Sequence, residues 1–253
     1  MINILLSGAN GKMGQAVTRV AAASDHVKIS CGFDINTTQN ADFPVYNQLS
    51  QVTEPVDVII DFSHPSMLDH ILDYAAANQI PAVICTTGLS TDQLSRIEFE
   101  SKKIPLFFSA NMSLGVNLLI DLVCRAAKIL ENNFDIEIIE KHHNQKIDAP
   151  SGTALAIANA LSDTVSYPAE YVYDRHSVRK KRGKHEIGIH AVRGGTIVGE
   201  HEVLFAGTDE VIEIKHSAAS KEVFAVGAVR AALFLTQQSA PGLFSMKDLI
   251  EAQ

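Results

Sequence analysis

Two histidines and a lysine stand close together in Glu140-Lys141-His142-His143-Asn144-Gln145-Lys146-Ile147-Asp148-Ala149-Pro150-Ser151-Gly152-Thr153. Imidazole gives or takes a proton near neutral pH, and an ammonium adds a fixed positive charge suited to a carboxylate. The Pro-Ser-Gly-Thr turn precedes Ala154-Leu155-Ala156-Ile157-Ala158-Asn159-Ala160-Leu161, a run of strong helix formers. A helix opening there offers unpaired backbone N–H groups and a partial positive charge, a seat for another anionic group. Together these residues could bind a small anionic substrate and protonate it. Read blandly, the same stretch is a polar loop ending in an ordinary Ser N-cap. A metal is not expected, because His-His-x-x-Lys lacks the helical i, i+4 histidine pair of the familiar zinc motif and lysine is not a usual zinc ligand.

A strand must deliver the histidines. Asp135-Ile136-Glu137-Ile138-Ile139 is apolar and β-branched and reads as one. If it continues through His142 and His143, their rings point to opposite sides, so one loop can serve proton transfer and binding alike.

The first half of the chain alternates strand and helix. Ile2 to Ser7 is a short apolar run, and Gly8-Ala9-Asn10-Gly11-Lys12-Met13-Gly14 then opens an amphipathic segment through Ala23. Glycines at this spacing permit a tight turn, let a pyrophosphate approach the backbone and let helix pack on strand. A second strand, Val27 to Phe33, ends at Asp34, 20 residues after Gly14, where such folds read the ribose hydroxyls. Strands are expected at 56–61, 82–85 and 106–108, with helices at 65–78 and 91–103 between them. In an open α/β sheet, ligand groups lie just past the C-terminal strand ends. That rule points to Phe62-Ser63, to Cys85-Thr86-Thr87 and to Ser109-Ala110-Asn111-Met112. Cys85 reads as a packing thiol, not a nucleophile, for want of a base nearby.

Ser113 to Glu131 reads as a long helix with Leu114, Leu118, Leu122 and Ala126 on one face. After the histidine stretch and its helix comes a polar, irregular segment (162–184) holding the basic run Arg179-Lys180-Lys181-Arg182-Gly183-Lys184, most simply a solvated loop. Long β runs at 186–192, 196–205 and 210–216 suggest an antiparallel or mixed sheet. A helix is expected over 220–238. The fold class is therefore α/β, a Rossmann-like parallel sheet followed by an α+β domain with a mixed sheet.

The net charge of −8 argues against a nucleic-acid partner. No apolar run reaches the roughly 18 residues of a membrane span. Cys31, Cys85 and Cys124 lie among apolar or small residues and read as thiols of a reducing compartment. Met1 leads directly into a strand pattern with no basic n-region. The expectation is a cytoplasmic protein.

Taken together, these motifs resemble the 4-hydroxy-tetrahydrodipicolinate reductase (dihydrodipicolinate reductase) family of the bacterial lysine and diaminopimelate pathway, over nearly the whole chain. Glu140 to Thr153 matches the family's E-x-H-H-x-x-K-x-D-A-P-S-G-T, and Gly8 to Gly14 its G-x-x-G-x-M-G. Asp61-Phe62-Ser63 matches D-F-[ST], and Arg193 to His201 matches R-x-G-x-I-V-G-E-H. The resemblance implies a dinucleotide-binding domain (1–112, with 220–253 returning to it) and a substrate-binding and oligomerisation domain (113–219) that builds a homotetramer. It implies hydride transfer from NADH or NADPH to a cyclic unsaturated dicarboxylate with loss of water. His142 is then the general acid/base and Lys146 the second proton donor. His143, Lys146, Gly152 and Thr153 hold the substrate carboxylates. The cofactor residues are Gly8, Ala9, Asn10, Gly11, Lys12, Met13, Asp34, Cys85, Thr86, Thr87, Ser109, Ala110, Asn111 and Met112. The chain has Ile35 where some members carry Arg after the acidic residue, Lys12 where Arg is frequent, and His64 where Arg often follows D-F-[ST].

Two alternatives stand beside this reading: a non-catalytic dinucleotide-sensing regulator, and another Rossmann-type dehydrogenase acting on a small dicarboxylate. A short-chain alcohol-type dehydrogenase is disfavoured, since none of the five tyrosines has lysine four residues later.

Overall fold

Apolar β runs that alternate with amphipathic helices can bury both faces of a sheet only if the strands run parallel and the helices cross over between them. The computed structural model, which describes residues 1–252, follows that rule in its first half. The chain begins β1 (Ile2–Ser7), α1 (Lys12–Ala22), β2 (Val27–Phe33), β3 (Val45–Tyr46), β4 (Val58–Asp61), α2 (Leu68–Asn78), β5 (Ala82–Ile84), α3 (Thr91–Glu100) and β6 (Pro105–Phe108). It continues with α4 (Leu114–Leu130), β7 (Asp135–His142), α5 (Gly152–Ser162), β8 (Glu170–Val172), β9 (Glu186–Arg193), β10 (Gly199–Ala206) and β11 (Val211–Ala218). It ends with α6 (Glu222–Leu235), β12 (Gly242–Phe244) and α7 (Met246–Glu251). Two compact units result: Met1–Leu114 together with the segment from Lys221, and Gly115–Ser220.

In the first unit seven parallel strands lie in the order β12-β6-β5-β4-β1-β2-β3. Successive residues of β1 face opposite ways, so Ile4 and Leu6 enter one core while Leu5 enters the other. The first core holds Val17 of α1 and Ala225, Ala228, Ala232 and Leu235 of α6. The second holds Ile71 and Leu72 of α2 and Ile97 of α3. Strand order reverses on either side of β1, which makes the ends of β1 and β4 the switch point where such sheets bind ligands.

The second unit is a mixed sheet, β11-β10-β7-β9-β8. β10 runs antiparallel to both β11 and β7, whereas β9 is parallel to β7 and β8. One face packs Ile136, Ile138, Ile187, Val203 and Phe205 against α4 (Leu119, Val123, Ala127) and α5 (Ile157, Ala158, Leu161).

Several sequence expectations need correction. α4 buries Val116, Leu119, Val123 and Ala127, while Leu118 and Leu122 are 45% and 42% exposed. The helix is apolar on several faces, so periodicity alone could not choose the one that packs. β10 starts at Gly199 rather than Thr196, because 194–198 is spent on the turn out of β9. The helix expected over 65–78 begins as a 3-10 turn at Pro65–Met67 before α2. The basic run is not simply solvated. Arg182 lies between strand starts, donating to Glu137, Asp135 and the carbonyls of Ile136, Gly183 and Glu186. The strands β3, β8 and β12 and the helix α7 were not expected. Among the described residues no helix is long and apolar enough to cross a membrane.

Candidate active site

β1 ends at Ser7 and the glycine loop turns at once into α1. Gly8 adopts φ +75°, and a Cβ on Gly14 would stand 2.2 Å from the Gly8 carbonyl, so helix and loop meet at a distance only glycine allows. Gly11 is the N-cap of α1 and brings no side chain to cap it, which leaves the first-turn amides for an external anion. Asp34 lies beside this loop. Its Oδ2 accepts the Asn10 amide at 2.9 Å and its Oδ1 the Asn36 amide at 3.0 Å. The Asn10 side chain in turn holds the carbonyls of Asn36 and Thr38 at 2.6 and 2.9 Å. The Gly8 and Ala9 amides donate to the carbonyl of Phe33, the residue before Asp34, at 2.8 and 3.4 Å. Lys12 is exposed, with no contact to Asp34 among the described residues.

Past the ends of β4, β5 and β6 lies a cavity of about 380 Å³ lined in part by Met13, Phe62, Thr86, Thr87, Met112 and Phe224, with Cys85 and Ala110 also at its wall. It gathers the three separate strand ends named from the sequence; Phe224 of α6 had not been signalled. Ser109 stands apart from the wall and braces its own turn, donating to the Asn111 carbonyl at 2.8 Å. Beneath the cavity the fully buried Asp61 carboxylate accepts the Thr86 hydroxyl at 2.7 Å and the Ser63 amide at 3.1 Å. Burial, aided by the Asp61 charge, pushes the Cys85 thiol up, which leaves it protonated and inert at neutral pH. A group of amides at a helix start, a carboxylate for ribose hydroxyls and a partly apolar cavity together fit a dinucleotide.

In the second unit β7 runs through His142 and places Glu140 and His142 on the same, inner face. Glu140 is fully buried yet ionised, because everything around it donates. Burial pushes its carboxyl up, but Arg193, His142 and the Ser151 amide outweigh that and hold it below the ordinary carboxylate range. Arg193 grips both oxygens, at 2.8 and 2.6 Å, the His142 Nδ1 lies 2.6 Å away, and Ser151 N–H donates at 3.0 Å. Ser151 caps α5 by accepting the Ala154 amide at 3.1 Å, and its hydroxyl lies 3.0 Å from Nε2 of His201 on β10. The rings of His142 and His201 meet edge to face with centroids 5.2 Å apart. Burial, with His142 adding to it, drives His201 down to about 4, so this ring is neutral at physiological pH.

After β7 a turn brings the Lys146 amide to the His143 carbonyl at 3.2 Å. His143 is half-buried, with no side-chain hydrogen bond among the described residues. Lys146 Nζ lies 2.7 Å from the Asp148 carboxylate, and this ammonium first, with the Gly152 amide at the start of α5 as a lesser influence, holds that carboxyl below the ordinary range. The expected ammonium is therefore already paired with a carboxylate, the protein's own. Thr153 follows, half-buried, in the first turn of α5. Sequence reading named His142, Lys146 and Gly152. It assigned no role to Glu140, Arg193 or His201, although all three lie within the motifs it quoted.

A glycine loop at the switch point of a parallel sheet is how dinucleotide-dependent oxidoreductases hold their cofactor, and this chain is of that class. Comparison with known proteins makes the assignment particular. The profile described as "Dihydrodipicolinate reductase, N-terminus" matches residues 2–112, and "Dihydrodipicolinate reductase, C-terminus" matches 115–250. A 4-hydroxy-tetrahydrodipicolinate reductase of Caldanaerobacter subterraneus is 54% identical over 99% of both chains. One of Clostridium tetani is 47% identical over 100% of this chain and 98% of its own. The dipicolinate-bound dihydrodipicolinate reductase of Paenisporosarcina sp. TG-14 shares the fold with a TM-score of 0.82, at 24% identity over 97% of each chain. The chain belongs to the dihydrodipicolinate reductase family.

Proposed function

We propose that this enzyme reduces 4-hydroxy-tetrahydrodipicolinate, a cyclic dicarboxylate, to tetrahydrodipicolinate with NADH or NADPH, in lysine and diaminopimelate biosynthesis. A hydride and a proton enter and water leaves. The observation that carries the reading is Asp148. Its carboxylate is held by the Lys146 ammonium at 2.7 Å, close to the head of α5, as one carboxylate of the substrate would be. A solved relative described as dipicolinate-bound supports it, since dipicolinate is a planar dicarboxylate.

When bound, the reduced nicotinamide supplies the hydride. Gly8 to Met13 and the first turn of α1 hold the pyrophosphate through backbone amides, Asp34 takes the ribose hydroxyls, and the cavity walled by Cys85, Thr86, Thr87, Ala110 and Met112 receives the nicotinamide end. Ser109 and Asn111 shape that wall through their mutual bonds. On the second unit His143, Lys146, Gly152 and Thr153 grip the carboxylates. Hydride addition to an imine-type system leaves a carbon or nitrogen in need of a proton, which His142 supplies, with Lys146 as second donor. Family resemblance supports taking the enzyme as a cytoplasmic homotetramer.

Asp34 favours NADH, because a carboxylate repels a 2′-phosphate. The Asn36 and Thr38 carbonyls bound by Asn10 add acceptors, not donors, to the same neighbourhood. Lys12 partly offsets this. The test is a steady-state assay with each cofactor, using substrate made in situ by the preceding aldol enzyme. Turnover with both, NADH preferred or comparable, is expected. A preference for NADPH above roughly a hundredfold, about 2.7 kcal/mol, refutes the Asp34 argument. Binding of NADH without turnover of either cofactor refutes the activity.

A further inference from the structure

Glu140 binds one residue on each of three elements around the candidate substrate site. His142 lies on its strand, Arg193 on β9, and Ser151 at the head of α5, and all three donate to its carboxylate. Arg193 passes the constraint onward, donating to the Asp148 backbone carbonyl at 2.7 Å and so holding the lysine loop. An ionised carboxylate can only accept, so the His142 nitrogen that faces it, Nδ1, must carry the proton. In the neutral ring Nε2 is then the bare nitrogen. Nε2 makes no protein hydrogen bond among the described residues, yet it is not one of the buried atoms left without a partner, so solvent reaches it. Gly199, paired in the ladder near it, would bring a Cβ within 3.1 Å of Nε2, and its absence keeps that approach open.

We propose that Glu140 is a positioning residue for the reduction: it fixes the His142 tautomer so that Nε2 meets the substrate, and through Ser151 and Arg193 it locks that ring in register with the amide seat and the lysine loop. This rests on His142 being the proton donor. In the imidazolium, Nδ1–H stays on Glu140 and Nε2–H is the proton that leaves, and the carboxylate stabilises the cation until it does. The charged or titratable groups around the ring are Glu140 on its own strand, Arg193 on β9, His201 on β10 with His216 beyond it on β11, and Lys146 and Asp148 in the following loop. Glu140 is the one whose carboxylate touches the ring.

The experiment compares Glu140→Gln with His142→Ala by the pH dependence of kcat, and reads the His142 tautomer by ¹⁵N NMR of histidine-labelled protein, its signal identified by its absence in His142→Gln. Glu140→Gln should lower kcat by roughly tenfold or more. Its alkaline limb should move to lower pH, because the imidazolium loses its counter-charge. NADH binding should be unchanged, which shows that the protein is folded. Wild-type protein should show neutral His142 protonated on Nδ1, a readout that decides the matter even if Glu140→Gln does not fold. Protonation on Nε2 in wild type overturns the inference. So does a Glu140→Gln enzyme with an unmoved limb and wild-type kcat while His142→Ala is impaired. A His142→Ala enzyme with intact kcat overturns the proposed function, and this inference with it.

Discussion

Side chains that share one loop can still divide the work. If Lys146 is both proton source and carboxylate contact, as proposed, Lys146→Ala should lower kcat by roughly 10²–10⁴-fold and raise the dicarboxylate KM. His142→Ala should fall mainly in kcat, and His143→Ala should act more on KM. None should change NADH affinity, which a fluorescence titration of each variant checks. Wild-type kcat in both Lys146→Ala and His142→Ala, with cofactor binding intact, removes the mechanism. At this scale the sequence was informative about residue types and silent about their wiring. His142 and Lys146 are four apart and visible as a motif. Glu140 and Arg193 are 53 residues apart, and only the parallel pairing of β7 with β9 makes them neighbours.

Elements were legible largely in proportion to their length, the three-residue β5 with its apolar run being the exception. The strands of β1, β2, β4, β7 and β9 are four to eight residues of apolar or alternating pattern, long enough to show a period. β3, with two residues, and β8 and β12, with three each, carry none and exist because a neighbouring strand supplies the ladder. α4 shows the opposite difficulty: too many of its faces are apolar. α6 is settled by its small residues. A Cβ at Gly227 would come within 1.7 Å of the Met112 carbonyl, a backbone atom that cannot give way cheaply. Gly227→Ala should destabilise the first unit by at least ~1–3 kcal/mol and weaken NADH binding if the cavity walled by Met112 and Phe224 receives the cofactor as proposed. Urea titration with and without NADH measures both. An unchanged midpoint would mean that α6 does not sit against Met112.

For the molecule as a whole, the neutral buried imidazole of His201 ties stability to pH. Its value falls to about 4 from an ordinary 6.5, through burial first and then the nearby His142. Between those values the unfolded chain holds a proton that the folded chain does not, so acid favours unfolding. The contribution is full above about pH 6.5, is lost as pH falls through that window and levels off below about 4. Its size is on the order of 3 kcal/mol at about 1.4 kcal/mol per pH unit. Melting temperature should therefore drop between pH 7 and pH 5 in wild type and drop less in His201→Gln. Equal slopes in the two proteins would assign the acid sensitivity elsewhere. Composition hinted at none of this, because a histidine's burial depends on which strands flank it.

Asp148 sets a carboxylate of the protein beside the candidate substrate groups. Its carboxylate pairs with Lys146, a group proposed to hold the substrate. If the proposed dicarboxylate also binds Lys146, it must displace Asp148, and its affinity is then a difference between two anions competing for one ammonium. Asp148→Asn should tighten pyridine-2,6-dicarboxylate several-fold if the displaced side chain is a rival, and weaken it if Asp148 serves to keep Lys146 in place, so isothermal titration tells tenant from landlord.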